Sequence, residues 1–199
     1  MKPFTTHEGR CVALRRDHVD TDQIVPAEFC KRLTKSGYDD ALFAAWRTDP
    51  GFVLNRPEAA HASILLAGSN FGTGSSREHA VWALRDWGFV AVIASSFGDI
   101  FRRSAFKNGL MAVELPAEAV AELSDAVDTS PATTVVVDLV ACEVRHGPRR
   151  YGFAVDERSR RLLLDGLDEI AVTLRREPEI AAYESRRRYW LPGLKEAEK

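Results

Sequence analysis

The sequence predicts an α/β domain in which a mixed sheet, partly closed into a barrel, is flanked by helices. Three observations predict it. Short apolar runs alternate with stretches of helical period along the first two thirds of the chain. Ser63–Gly68 (SILLAG), a helical stretch closed by Gly88, and Phe89–Ala94 (FVAVIA) make a strand, crossover helix and strand, which implies parallel pairing with a right-handed connection. Further on, the β-branched or alternating runs TTVVVDLVACEV and RRYGFAV flank the turn HGPR, which implies an antiparallel pair. One sheet with a parallel and an antiparallel part accommodates both.

In chain order, Cys11–Arg15 (CVALR) reads as a strand leading into the polar loop DHVDTDQIVP, and Asp39–Trp46 (DDALFAAW) as a weak helix. After SILLAG, the spacing predicts a helix over Ser75–Trp87, with Ala80, Ala83, Leu84 and Trp87 on its buried stripe. A second helix runs from about Phe97 to Asn108, ends at Gly109, and is followed by the strand LMAVEL. PAEAVAELSDAV opens with proline at a first-turn position and is helical by period. The tail from about residue 157 is helical in composition, with LLLDGLDEI and EPEIAAYESRRRYW broken by Gly166 and Pro178.

The 199 residues fit a single domain, residues 1–199, with that helical tail. Hydrophobic residues make up 45% and charged residues 28%, as in ordinary globular chains, and a formal net charge of -2 leaves no electrostatic footprint for nucleic acid. MKPFTTHEGR has no apolar segment of a leader and no window has the length of a membrane span, so a cytoplasmic protein is expected. Cys11, Cys30 and Cys142 are odd in number and widely spaced, which argues against a disulfide framework, a zinc site or an iron–sulfur cluster held by this chain alone.

The chemistry concentrates in GSNFGTGSSREHA, Gly68–Ala80. Its structural reading is a tight strand-to-helix turn made by Gly72 and Gly74, followed by a capping box of Ser75 and Glu78. That reading leaves Arg77 unexplained, because a cation in a first helical turn sits at the wrong end of the macrodipole. The functional reading explains it: a glycine turn before a helix exposes amide donors to an anion, and the planar fork of Arg77 holds a carboxylate bidentately. The dinucleotide and P-loop patterns do not fit, since Arg77 replaces the third glycine of one and no Gly-Lys-Ser/Thr completes the other. A carboxylate ligand is therefore expected rather than a phosphate. A Ser75–His79 nucleophile pair on one helix face is the competing use of the same segment; a histidine that bonds nearby backbone and steadies the loop is the plainer one.

Asp17, Asp20 and Asp22 resemble calcium ligands in their density, but no glycine or bidentate glutamate falls where a calcium loop needs them. A polar turn is the alternative. The run Arg186, Arg187, Arg188 beside Tyr189 and Trp190 reads as a solvated helix face or a partner contact.

NFGTGSSREHAVWAL resembles the signature of the small subunit of 3-isopropylmalate dehydratase, itself similar to the swivelling fourth domain of aconitase. VDTDQIVPAEF, GFVLN, ASILLAGSNFG, VIASSFGDIF and GLDEIAVTL extend the resemblance over nearly the whole chain. It implies a hydro-lyase of leucine biosynthesis, working only with a large subunit that carries a 4Fe-4S cluster, and moving a hydroxyl between two carbons of isopropylmalate through an alkene diacid. It also implies roles: Ser75 as base, Arg77 on a substrate carboxylate, Asp22 and Thr21 orienting catalytic groups, and Ser76 bonding the substrate or the loop. Gly72, Thr73 and Gly74 would form the cradle with Glu78 and His79 as its support, while Phe29, Cys30, Lys31 and Arg32 would read the substrate's variable substituent. Two positions depart from the family's usual residues, Thr73 in place of cysteine and Val81 in place of proline. They leave open a paralogue acting on dimethylmalate, citraconate or homoaconitate. A non-catalytic carboxylate-binding module and a self-sufficient hydrolase using Ser75 and His79 are the readings from other classes.

Overall fold

A computed structural model describes every residue except 76, 189 and 191–199. Among the described residues one seven-stranded sheet, in the order β4-β3-β2-β1-β5-β6-β7, carries the fold. Its parallel half consists of β1 (Thr6–Leu14), β2 (Ala62–Ala67), β3 (Ala91–Ala94) and β4 (Met111–Glu114). The antiparallel half adds β5 (Thr134–Asp138), β6 (Glu143–His146) and β7 (Arg149–Gly152) to the other side of β1. The edge strands β4 and β7 do not pair with each other, so the curled sheet is a half-barrel, as its mixed pattern predicts.

β1 belongs to both halves. Thr6–Arg10 pair antiparallel with β5, whereas Cys11–Leu14 pair parallel with β2 after an irregularity between Arg10 and Cys11. Burial follows pairing: the first part alternates between exposed and half-buried, and Cys11–Leu14 are all buried. Parallel strands are covered on both faces and read as unbroken apolar runs, and β3 (AVIA) is wholly buried.

The crossover elements are α2 (Glu78–Trp87) and α3 (Asp99–Lys107). α2 buries Ala80, Val81, Ala83 and Leu84 and stops at Gly88, whose φ of 115° suits the left-handed closing position. Val81, the fourth residue of α2, is fully buried. Trp82 Nε1 donates to Asn108 Oδ1 at 3.0 Å and ties α2 to the end of α3. α4 (Ala117–Thr129) packs across β1, β2 and β3.

Three expectations change. The helix predicted from Ser75 starts at Glu78, and its N-cap is Arg77 in extended conformation without a side-chain capping bond. The Ser75–Glu78 capping box therefore does not form, since Ser75 lies outside the helix. Asp39–Trp46 forms turns leading into a 3-10 turn, Trp46–Thr48; Phe43 takes a φ of 47°, which no α-helix tolerates. The single run TTVVVDLVACEV bends into β5 and β6, with Cys142 at a φ of 53° in the turn.

The tail holds α5 (Glu157–Asp165), α6 (Glu169–Leu174) and α7 (Glu177–Ser185). Leu163 of α5 is buried, its carbonyl accepts from Phe4 N at 2.8 Å, and the Met1 ammonium donates to Gly166 O at 2.9 Å. Pro178 opens α7 rather than breaking it. No described helix is long and apolar enough to cross a membrane.

Candidate active site

The carboxyl ends of β1, β2 and β3 deliver three loops to one place, the usual location of a site in a parallel sheet. Backbone bonds stitch them together. Gly68 N donates to Arg16 O at 3.1 Å, His18 N to Ser69 O at 2.8 Å, Gly72 N to Val19 O at 2.7 Å and Thr21 N to Thr73 O at 3.0 Å. On the other side Phe71 N donates to Ser96 O at 3.0 Å and Gly98 N to Phe71 O at 2.9 Å. The glycine loop is thus the middle of three paired backbones.

Its glycines fit their surroundings closely. Gly72 has a φ of 72°, and a Cβ there would lie 2.2 Å from the ring of Phe101. A Cβ on Gly98 would lie 2.6 Å from Gly72 O. Gly74, with a φ of 94°, is needed for its left-handed conformation instead.

The three aspartates each have a structural partner. Asp17 Oδ1 accepts from Ser69 N at 2.6 Å and Ser69 Oγ at 2.9 Å, and these donors hold its carboxyl below the usual carboxylate range. Asp20 caps α1 (Thr21–Ile24) through Gln23 N, while Gln23 Oε1 takes Asp20 N, a capping box legible in the order Asp-x-x-Gln. Asp22, the second residue of α1, pairs with Arg77 Nη1. The anion beside Arg77 among the described residues is thus the carboxylate of Asp22, a partner from its own chain.

Ser75 is exposed between Gly74 and Arg77, and its carbonyl accepts from Thr21 Oγ1 at 3.0 Å, with Thr21 itself buried. Asp22, Thr21, Thr73, Gly72, Gly74, Ser75 and Arg77 are thus assembled around one loop. Ser76, assigned to the same site, lies outside the described residues, as does Tyr189 of the basic run.

His79 does something different from either sequence expectation. Its ring meets the edges of Tyr38 and Trp82, with centroids 5.4 and 4.9 Å away. With Ser75 outside α2, the one-turn spacing that would make a Ser75–His79 pair is gone. Glu78 Oε1 accepts from Asn108 Nδ2 at 3.5 Å, a support for the helix start.

Phe29, Cys30 and Lys31 fall in a 3-10 turn, Ala27–Lys31, just beyond α1. The guanidinium of Arg32 lies over the ring of Phe29 at 4.9 Å and is clasped by Asp40 through two bonds of 2.7 Å. This clasp and the Tyr38–His79 contact were not legible beforehand, because both join residues through folded turns rather than through periodic spacing. Cys11 is buried, which pushes its thiol up to about 12 and leaves it unreactive; all three cysteines are free.

Residues 1–118 match the family model of the aconitase C-terminal domain, and residues 169–195 match that of the C-terminal domain found in small subunits of 3-isopropylmalate dehydratase. A 3-isopropylmalate dehydratase small subunit of Acidothermus cellulolyticus is 59% identical over 96% of this chain and 98% of its own. The chain belongs to the 3-isopropylmalate dehydratase small-subunit family. Within that family of aconitase-type hydro-lyases, the Salinispora tropica small subunit is 54% identical over 98% of this chain and 100% of its own. The crystal structure of a 3-isopropylmalate dehydratase from Methanocaldococcus jannaschii superposes with a TM-score of 0.66 at 26% identity, covering 89% of this chain and 98% of that one. The half-barrel flanked by helices is therefore the family's architecture.

Proposed function

We propose that this chain, acting as one domain over residues 1–199 with its helical tail from about residue 157, supplies half of the active site of a 3-isopropylmalate dehydratase. The large subunit of the family would supply the other half together with a 4Fe-4S cluster. The described residues contain no group of three or more His, Cys, Asp or Glu able to hold a metal, so no ligand set for such a cluster can be named on them. When bound by the partner, the cluster would serve as Lewis acid toward the departing hydroxyl.

The observation that carries the reading is the Arg77–Asp22 pair beside Ser75. A guanidinium whose side chain is 24% exposed meets a carboxylate that is 55% exposed, at the mouth of a glycine turn. Substrate binding would exchange one carboxylate for another on Arg77, so the cation is never left unpaired. With that carboxylate fixed, Ser75 Oγ, as the alkoxide, would take the proton from the adjacent carbon, and the hydroxyl, protonated by an acid of the large subunit, would leave as water to give the alkene diacid. Readdition to the other carbon completes the isomerisation. A serine hydroxyl is a weak base, and its alkoxide would depend on the dipole of α2 and on Arg77 for stability. Thr21, by holding Ser75 O, and Thr73, by holding Thr21 N, would fix the base; Gly72 and Gly74 shape the turn, Glu78 and His79 steady α2, and Ser76 would bond the substrate or the loop. Phe29 and Lys31 would face the substrate's substituent. In the cell we infer a cytoplasmic biosynthetic enzyme.

The test is anaerobic co-expression with a large subunit and the alkene absorbance produced from 3-isopropylmalate. Ser75→Ala is expected to keep its partner and lose about a thousandfold in kcat, within the range of positioned general bases. A variant retaining a third of the rate would remove Ser75 from the chemistry.

A further inference from the structure

The buried end of β1 forms the floor of a cavity of about 440 Å³ that shares no lining residue with the anion loop. Val12 of β1 lies at this floor. One wall comes from two 3-10 turns, Val53–Asn55 and Pro57–His61, and contributes Val53, Arg56 and Glu58. The residue before a proline is pushed out of helical conformation, so Arg56 stands between the two turns with extended backbone, at a φ of -75° and a ψ of 141°. The other wall is the end of α4, with Val127 and Asp128.

The charges around this cavity are left open. Arg56 and Glu58 are opposite in sign and two residues apart, yet among the described residues neither side chain has a hydrogen bond or an ion pair. Near neighbours elsewhere in the chain do close on each other, as Arg145 does on Glu143 and Arg161 on Glu157. On α4, Arg15 meets Asp128 through Oδ2, with Nε at 2.8 Å and Nη2 at 2.7 Å, so Oδ1 has room for a further donor. The cavity thus presents one open guanidinium, one open carboxylate and one open carboxylate oxygen around three valines. A simple anion would answer Arg56 but be repelled by Glu58 and Asp128, and a simple cation would meet the reverse. A ligand that carries both charges and a small apolar group answers all of them.

We propose that this cavity is a binding site for an α-amino acid with a short apolar side chain, its carboxylate held by Arg56, its ammonium by Glu58 and Asp128, and its side chain by Val12, Val53 and Val127. The planar fork of a guanidinium takes a carboxylate through two parallel bonds, and an ammonium has three donors, enough for both acidic partners. A concave site of this size, with an apolar lining and a few polar groups that fix orientation, is the usual form of a small-molecule site.

The experiment is equilibrium dialysis of radiolabelled L-valine against the assembled complex with the large subunit. Saturable binding with a Kd of about 1 mM is expected, the strength of a small ligand held by two charged contacts and one covered side chain. Isovalerate lacks the ammonium and isobutylamine lacks the carboxylate, and each is expected to compete about tenfold less well. Arg56 and Glu58 are exposed, so their replacement spares the core. Arg56→Gln and Glu58→Gln should each weaken L-valine about tenfold or more, while Arg77→Gln should bind it as wild type does. No saturable binding at about ten times the expected Kd overturns the proposal. Affinity that survives both Arg56→Gln and Glu58→Gln overturns it too, as does affinity lost in Arg77→Gln, which would put the amino acid in the anion loop. Isovalerate bound as tightly as L-valine would make this a plain carboxylate site and overturn the assignment of the ammonium.

Discussion

The two halves of the sheet are built on different terms. On the parallel side, Ile64, Leu65, Leu66 and the whole of β3 are buried, and the loops at the strand ends are bonded to one another. On the antiparallel side β5 alternates in burial, and β7 has none of its residues buried. There the ordering comes partly from ion pairs, Arg145 with Asp138 and Glu143, and Arg150 with Glu143. The site residues sit on the half with the dense core. A reacting group must be held to a fraction of an ångström, and close packing supplies that stiffness where half-buried ion pairs do not.

Substitutions can break or sharpen this contrast. The largest effect is expected inside the parallel half: Leu65→Ala removes a fully buried side chain from β2 and should cost about 3 kcal/mol, read from denaturant midpoints at unchanged m-value. Next is Gly98→Ala, whose new methyl meets the Gly72 carbonyl and must push two paired loops apart. Displacement of that order should lower the rate of the assembled enzyme about a hundredfold, with a smaller change in melting temperature.

How much of this contrast was legible beforehand depends on the range of the interactions involved. The strands and helices around Gly68–Ala94 and the antiparallel pair were readable because burial on one or two faces leaves a period in the sequence. β1 shows the limit: only its buried Cys11–Leu14 end was visible, since the half-exposed Thr6–Arg10 end carries THEGR and gains its strand state from β5. Arg77 was legible as a cation requiring an anion, but not the identity of the anion, which comes from a residue 55 positions away. The helix start was misplaced for a related reason: Ser75 and Glu78 have the spacing of a capping box, but Thr21 holds the Ser75 carbonyl and tertiary contact overrides the local preference.

Smaller effects test the edges of the comparison. Asp17 is held below the ordinary carboxylate range by Ser69, so its stabilising contribution is complete above that ordinary value and is lost as pH falls toward the depressed one. Melting temperatures between pH 6 and pH 3 should therefore fall less steeply, by a small but measurable margin, in Asp17→Asn than in wild type. The smallest effect is expected on the antiparallel side, where Arg150→Ala should change stability by less than about 0.5 kcal/mol. A loss as large as that of Leu65→Ala would mean that ion pairs carry this half of the sheet after all.

The segment between α1 and Tyr38 is fastened at its ends to Arg77 and His79, and in its middle Arg32 is fastened to Gly37 and Asp40. Loss of Asp40 would therefore loosen the middle of the segment while both anchors hold, so its order can change without any change in the packing of the parallel sheet.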